Sequence, residues 1–190
     1  MFREEDHPRK PEGSPEGGRF TKKEYSAMTT DELKKIAVKE YRQNTPYEEI
    51  VEKSKKESKK WKSKDDFFGV EYTGVKGRDA VDLLLKERQG HVKNAFYRKE
   101  IGDIDLPWGD EYAGLAHVIK RRDEMKMMGK GNITGLEMVK KIPDIIGNGA
   151  FVIDEHDRLS FQFDGYKVGI KPTYFGEKLN WVVSAMEIIK

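Results

Sequence analysis

Between Phe151 and Met186, apolar and polar residues alternate in four short runs separated by turn formers, and this pattern leaves few folds open. The runs are Phe151-Val152-Ile153, Leu159 to Phe163, Tyr166 to Lys171 and Leu179 to Met186. A period of two is that of a half-buried strand. Asp164-Gly165 sits between two of the runs and is a strong two-residue hairpin signal, because both residues tolerate the positive φ of a type I′ turn. The pattern predicts a four-stranded, or slightly larger, antiparallel meander. On it Leu159, Phe161 and Phe163 share a face with Tyr166, Val168 and Ile170, and Leu179, Trp181, Val183 and Ala185 continue that face. The opposite face collects Ser160, Gln162, Lys167, Gly169, Lys171, Asn180 and Ser184. Such a face can hold a phosphodiester. It is equally the ordinary wet face of an antiparallel sheet, which alternation alone favours.

Helical patterns precede the meander. Ala80, Leu83 and Leu84 give an amphipathic helix from Gly77, stopped at Gly90. Val92 to Tyr97 and Ile101 to Leu106 read as a strand pair. Asp110 to Glu124 and Thr134 to Ile146 read as helices, the second distorted or ended by Pro143. The expected class is therefore α+β, with helices packed on one face of the sheet.

Upstream, residues 1–28 are rich in Pro, Gly and charge and read as a disordered tail. Residues 29–65 read as a helical, Lys-rich linker region, with Thr30 capping a first helix and a short second one after Pro46. Lys53 to Lys64 holds seven lysines and one glutamate. That run is either a solvated face or a phosphate tether around Trp61, and charge runs are usually solvated. Residues 66–190 form the compact domain. Charge divides at the same place. Residues 1–65 carry 17 Lys/Arg against 14 Asp/Glu, and residues 66–190 carry 19 against 20. Any nucleic-acid site in the domain has to be a local basic patch rather than a basic surface. The absence of cysteine excludes disulfides, thiolate zinc sites and a cysteine nucleophile. No apolar run approaches the ~18–20 residues of a membrane span, and Met1 to Asp6 lacks the apolar stretch of a secretory leader. The expected location is the cytoplasm of a host or target cell, or a virion.

The helix after Trp108-Gly109-Asp110 carries the best candidate for chemistry. At ~100° per residue, Leu115, Val118, Ile119 and the stem of Arg122 share one stripe, while His117, Lys120, Arg121 and Glu124 lie opposite. His117 and Arg121 are neighbours at i, i+4. A proton shuttle beside a fixed cation suits RNA transesterification, although an exposed histidine on a solvated helix is the commoner case. His7 lies in the tail and His91 follows a helix stop. His156 with Asp154 and Asp157 forms either a turn or a metal site. Gly129-Lys130-Gly131 is too short for a phosphate loop.

Several segments in order resemble a known family. They are Gly77 to Val92, Ala95-Phe96-Tyr97-Arg98, Gly102 to Gly109, Gly114-Leu115-Ala116-His117-Val118-Ile119 and Trp181 to Glu187. Together they resemble the phage-associated nuclease domains grouped with barnase, EndoU, colicin RNases and RelE. Gly18-Arg19-Phe20-Thr21 is similar to a short motif of phage head-associated proteins. The resemblance implies an α+β nuclease whose open sheet face binds RNA and cleaves it without a metal or organic cofactor, as in phage head proteins and polymorphic toxins. It also implies an immunity or antitoxin protein, or phage head proteins, as further partners. The family histidine falls on His117, with Val118 in place of isoleucine. The Thr/Ser-Ala-aromatic-Glu motif falls on Ser184-Ala185-Met186-Glu187, with methionine at the aromatic position. In this reading His117 is base or acid, Arg121 and Lys171 stabilise charge, and Ser184 donates a hydrogen bond to phosphate. Arg98, Lys120, Lys167, Gln162 and Asn180 contact substrate. A non-catalytic phage structural or RNA-binding module on the same fold is the alternative.

Overall fold

In the computed structural model, which describes residues 29–32, 47–56, 64–174 and 176–188, the four C-terminal runs pair in succession. The elements are α1 (Tyr47–Lys56), α2 (Lys64–Phe68), β1 (Glu71–Tyr72), α3 (Gly77–Glu87), β2 (His91–Arg98), β3 (Gly102–Pro107), α4 (Leu115–Met127), α5 (Gly135–Asn148), β4 (Ala150–Ile153), β5 (Leu159–Phe163), β6 (Tyr166–Tyr174) and β7 (Glu177–Glu187). The chain divides into two compact units, Met1–Glu40 and Tyr41–Lys190. In the first, Glu32 N donates to Thr29 Oγ1 at 3.3 Å and Thr29 N to Glu32 Oε2 at 2.8 Å. The helix cap there is Thr29, one residue before the expected Thr30, because Glu32 reaches back to close a capping box on it. The tail, the apolar stripe from Leu33 and most of the lysine run with Trp61 lie outside the described residues.

In the second unit, strands β4 to β7 pair antiparallel in sequence order. The β5–β6 turn is the Asp164-Gly165 hairpin, with φ of 48° and 78°. The sheet is larger than expected: seven strands in the order β1-β2-β3-β7-β6-β5-β4. It is also mixed, since β3 pairs parallel with β7 at Asp105↔Trp181 and β1 pairs parallel with β2. The β2–β3 pair is legible locally, but nothing within either strand records that β3 docks on β7.

The main core joins Leu159, Phe161, Val168, Ile170, Val182 and Ala185 of the sheet to Ala80 and Leu84 of α3, Leu115 and Val118 of α4, and five apolar residues of α5. Helix α5 starts with a capping box between Thr134 and Glu137 and runs through Pro143 to Asn148. Pro143 therefore does not end it. Interior proline costs ~3 kcal/mol. Burial of Met138, Val139, Ile142, Ile145 and Ile146, at roughly 1.5–3 kcal/mol each, outweighs that cost. Helix α4 begins at Leu115 rather than Asp110, because residues 109–114 are held in a loop.

The apolar assignment along β7 is also corrected. Gly169 pairs with Ser184 but Ile170 pairs with Val182, so Val183 is an extra residue in a β-bulge. An insertion of one residue reverses the faces of everything beyond it. Val182 therefore joins Ala185 towards the core, and Trp181, Leu179 and Val183 go to the opposite side. There Trp181 packs with Phe67, Phe68, Ala113 and Tyr174 in a second cluster. Apolar packing thus occupies both faces of the sheet, with α2 covering the second face at one end. Among the described residues no helix is long and apolar enough to cross a membrane.

Candidate active site

The site begins with a loop that the sequence builds from two glycines. Gly109 has φ +72° and Gly114 φ +87°. A Cβ on Gly109 would fall on the Ala113 carbonyl oxygen, and one on Gly114 would lie 2.8 Å from Trp108 O. Only glycine permits both the backbone sign and the approach. The loop is closed by Asp110 N donating to Ala113 O at 3.0 Å and Ala116 N to Trp108 O at 2.9 Å. An Asx turn adds Tyr112 N to Asp110 Oδ1 at 2.8 Å.

This loop sets the state of His117. Its Nδ1 lies 2.7 Å from the Glu111 carbonyl oxygen. A carbonyl only accepts, so Nδ1 donates, and in the neutral ring Nε2 keeps the lone pair. The half-buried imidazole is thus held with its basic nitrogen on the far side from the loop. Gly114 N donates to Val183 O at 2.9 Å. Three residues of helix span roughly 5 Å, which puts the His117 Cα within roughly 10 Å of that carbonyl. The helix that carries His117 is thus anchored at its start to β7.

The open part of the sheet supplies the other groups. Register places Ser160, Gly169 and Ser184 in one row and Gln162, Lys167 and Met186 in the next. Lys171 follows on the same side, opposite Trp181. Directly paired residues share a face, so Gln162, Lys167, Lys171 and Ser184 are gathered on one surface. A Cβ on Gly169 would lie 2.7 Å from Ser184 Oγ, so the bare glycine leaves room for the hydroxyl.

Other expected residues are placed differently. Asn180 is buried; its Nδ2 donates to Ile101 O at 2.8 Å and Asp103 O at 3.0 Å, and its Oδ1 accepts from the Tyr47 hydroxyl. The bulge turns it away from the open face. Arg98 donates to Ile146 O and, at 2.9 Å, to Gly149 O, so it caps the C-terminal end of α5. It also pairs with Glu100 at 2.7 Å and lies over the Phe161 ring at 4.4 Å. Arg121 pairs with Glu124 at 3.1 Å. Lys120 pairs with Glu111 at 3.0 Å, and this hydrogen bond raises the lysine pKa and lowers that of the carboxyl. Asp154 accepts from His156 N at 2.8 Å and from Arg158 Nε at 2.6 Å, which makes that segment a turn. Among the described residues no group of three His, Cys, Asp or Glu is arranged to hold a metal ion.

Two features escape sequence reasoning. Arg122 Nε is inaccessible and has no hydrogen-bond partner, and no ion pair holds its guanidinium among the described residues. Burial and then the Arg121 charge pull its pKa below the usual guanidinium value, while Glu187 acts the other way. The available signal is an arginine within an apolar stripe. The second feature is His91, buried between Phe68 O at 3.2 Å and Glu71 Oε2 at 3.6 Å. Asp105 is close by and buried, accepts from Asn94 N at 2.7 Å, and has its pKa raised by burial.

Fold and site together define an α+β domain with a carbonyl-oriented histidine on α4 and a polar row on β5 to β7. The family model described as phage-Barnase-EndoU-ColicinE5/D-RelE like nuclease 1 matches residues 95–190. The chain belongs to this nuclease family. The match takes in α4, the loop before it and the whole β4–β7 meander, and α3 lies outside it. No curated protein matches the chain.

Proposed function

We propose that the chain is a metal-independent endoribonuclease of the toxin-like effector kind carried by phages or prophages. The observation that carries the reading is the His117 Nδ1 to Glu111 O hydrogen bond, which fixes the tautomer a general base needs. His117 Nε2 takes the proton of a ribose 2′-hydroxyl. The 2′-oxygen attacks the adjacent phosphorus, and the 5′-oxygen leaves with a proton from water before the open face. The products are a 2′,3′-cyclic phosphate and a free 5′-hydroxyl. Lys171 and Lys167, on the same face, stabilise the charge that develops on the phosphorane, and Ser184 donates a hydrogen bond to it. Gln162 and Lys120 contact the substrate on either side. Arg121, one turn along α4 from His117, is paired with Glu124 and meets phosphate by exchanging that carboxylate for it. The same ion pairs favour one alternative, a module that binds RNA without cleaving it, since Lys120 and Arg121 both face carboxylates.

The test is a short RNA in which single nucleotides are replaced in turn by their 2′-deoxy forms. Cleavage blocked only where the 2′-hydroxyl next to the scissile phosphate is removed supports transesterification. Cleavage that survives the replacement overturns it, and full binding with no cleavage of any substrate selects the alternative.

A further inference from the structure

The loop that orients His117 also presents a surface that its orienting role does not use. Tyr112, at the tip, is 68% exposed. Its backbone is fixed by the Asx turn from Asp110, and the loop is closed on both sides by backbone hydrogen bonds. The neighbouring Glu111 carboxylate accepts from Lys120 Nζ at 3.0 Å. The Tyr112 ring thus stands on a fixed backbone and is open to solvent. The loop's closed backbone lowers the ordering cost of binding through this residue.

The chemistry of the tip selects among parts of a nucleotide. Asp110 and Glu111 make it acidic, so a phosphate is repelled. A nucleobase is uncharged, offers a π-face to the tyrosine, and can donate from an exocyclic amino group to a carboxylate. Glu111 retains acceptor capacity beyond the one contact to Lys120. The carbonyl of the same residue touches the His117 ring, so a base on Tyr112 belongs to a nucleotide next to the phosphate at His117.

We propose that Tyr112 and Glu111 form a platform for one unpaired nucleobase bearing an exocyclic amino group, so that the substrate is single-stranded RNA. Bases inside an A-form duplex are already stacked and paired and cannot reach such a ring. The inference rests on the ribonuclease reading for its substrate, but its test does not need cleavage.

The probe is a fluorescent single-stranded RNA with every 2′-hydroxyl methylated, which cannot transesterify, alongside the same sequence as a duplex. Binding is read by anisotropy for the wild type, Tyr112→Ala, Tyr112→Phe and Tyr97→Ala, the last a similarly exposed tyrosine on β2. The expected result is single-strand binding weakened roughly 5- to 100-fold in Tyr112→Ala and nearly unchanged in Tyr112→Phe and Tyr97→Ala. The duplex binds weakly and is indifferent to Tyr112. Equal binding by wild type and Tyr112→Ala overturns the platform, as does equal wild-type affinity for single strand and duplex, or no wild-type binding. Unmethylated RNA separates the two readings. Cleavage lost in His117→Ala but unchanged in Tyr112→Ala removes the platform alone. Tyr112-dependent binding with no cleavage of unmethylated RNA removes the nuclease alone.

Discussion

Replacing Gly109 by alanine tests whether the loop before α4 is as tightly determined as its geometry implies. Two costs act there. The φ of +72° puts an L-residue in the left-handed region, at roughly 1–2 kcal/mol. The new Cβ also lands on the Ala113 carbonyl oxygen. Relieving that overlap costs roughly 1–3 kcal/mol by the standard of overpacked sites. It also opens the Asp110 N to Ala113 O bond, worth about 1 kcal/mol. Gly129→Ala is the internal comparison. Its φ is +67°, but nothing lies within 4 Å of the position its methyl group would take. Equilibrium urea unfolding is expected to show a loss of about 3–6 kcal/mol for Gly109→Ala and only about 1–2 kcal/mol for Gly129→Ala. RNA cleavage by the folded Gly109→Ala protein is expected to fall as well, since the Glu111 carbonyl no longer holds His117. Equal losses in the two variants would refute the overlap argument. A destabilised Gly109→Ala with undiminished cleavage would refute the link from loop to histidine.

Two further outcomes follow from other parts of the molecule. Lys167→Gln, on the polar face of β6, should lower the slope of log affinity against log salt for single-stranded RNA by about 0.7, the share of one phosphate contact, whereas Arg121→Gln, whose guanidinium is already paired with Glu124, should leave it unchanged. Tyr174 is buried, and burial followed by Asp110 and Asp66 pushes its pKa to about 12 from 10.0. Its folded pKa exceeds the unfolded one, so its contribution is present below pH 10 and is lost as pH rises towards 12. Stability followed by circular dichroism should fall across that window and fall less steeply in Tyr174→Phe.

Features with local causes are legible in this sequence, and features set by distant contacts are not. The hairpin at Asp164-Gly165 and the four strand runs can be read because period and turn chemistry reside in the residues themselves. The cap at Thr134 is of the same kind. The parallel docking of β3 on β7 cannot, because one buried contact between distant segments, Asp105 with Trp181, leaves no local trace. The bulge at Val183 defeats simple alternation and sends Trp181 and Asn180 to faces opposite those expected. For the site, the lysines and Ser184 share the face that alternation assigns them. The start of α4 is misplaced by pattern alone because a loop held by Gly109 and Gly114 reads as the first turn of an amphipathic helix. That misplacement conceals the Glu111 carbonyl, which depends on a backbone path rather than a residue type. Arg98 looks like a phosphate contact only because its carbonyl partners at the end of α5 are remote in sequence.

In the proposed mechanism His117 performs the proton transfer of RNA cleavage. Total RNA incubated in EDTA with wild type and with His117→Ala, followed by analysis of the new ends, tests it most directly. Wild type is expected to cleave despite the chelator, leaving cyclic-phosphate and 5′-hydroxyl ends, and the variant to lose cleavage with its fold intact. Undiminished cleavage by His117→Ala, or wild-type cleavage abolished by EDTA, would contradict it.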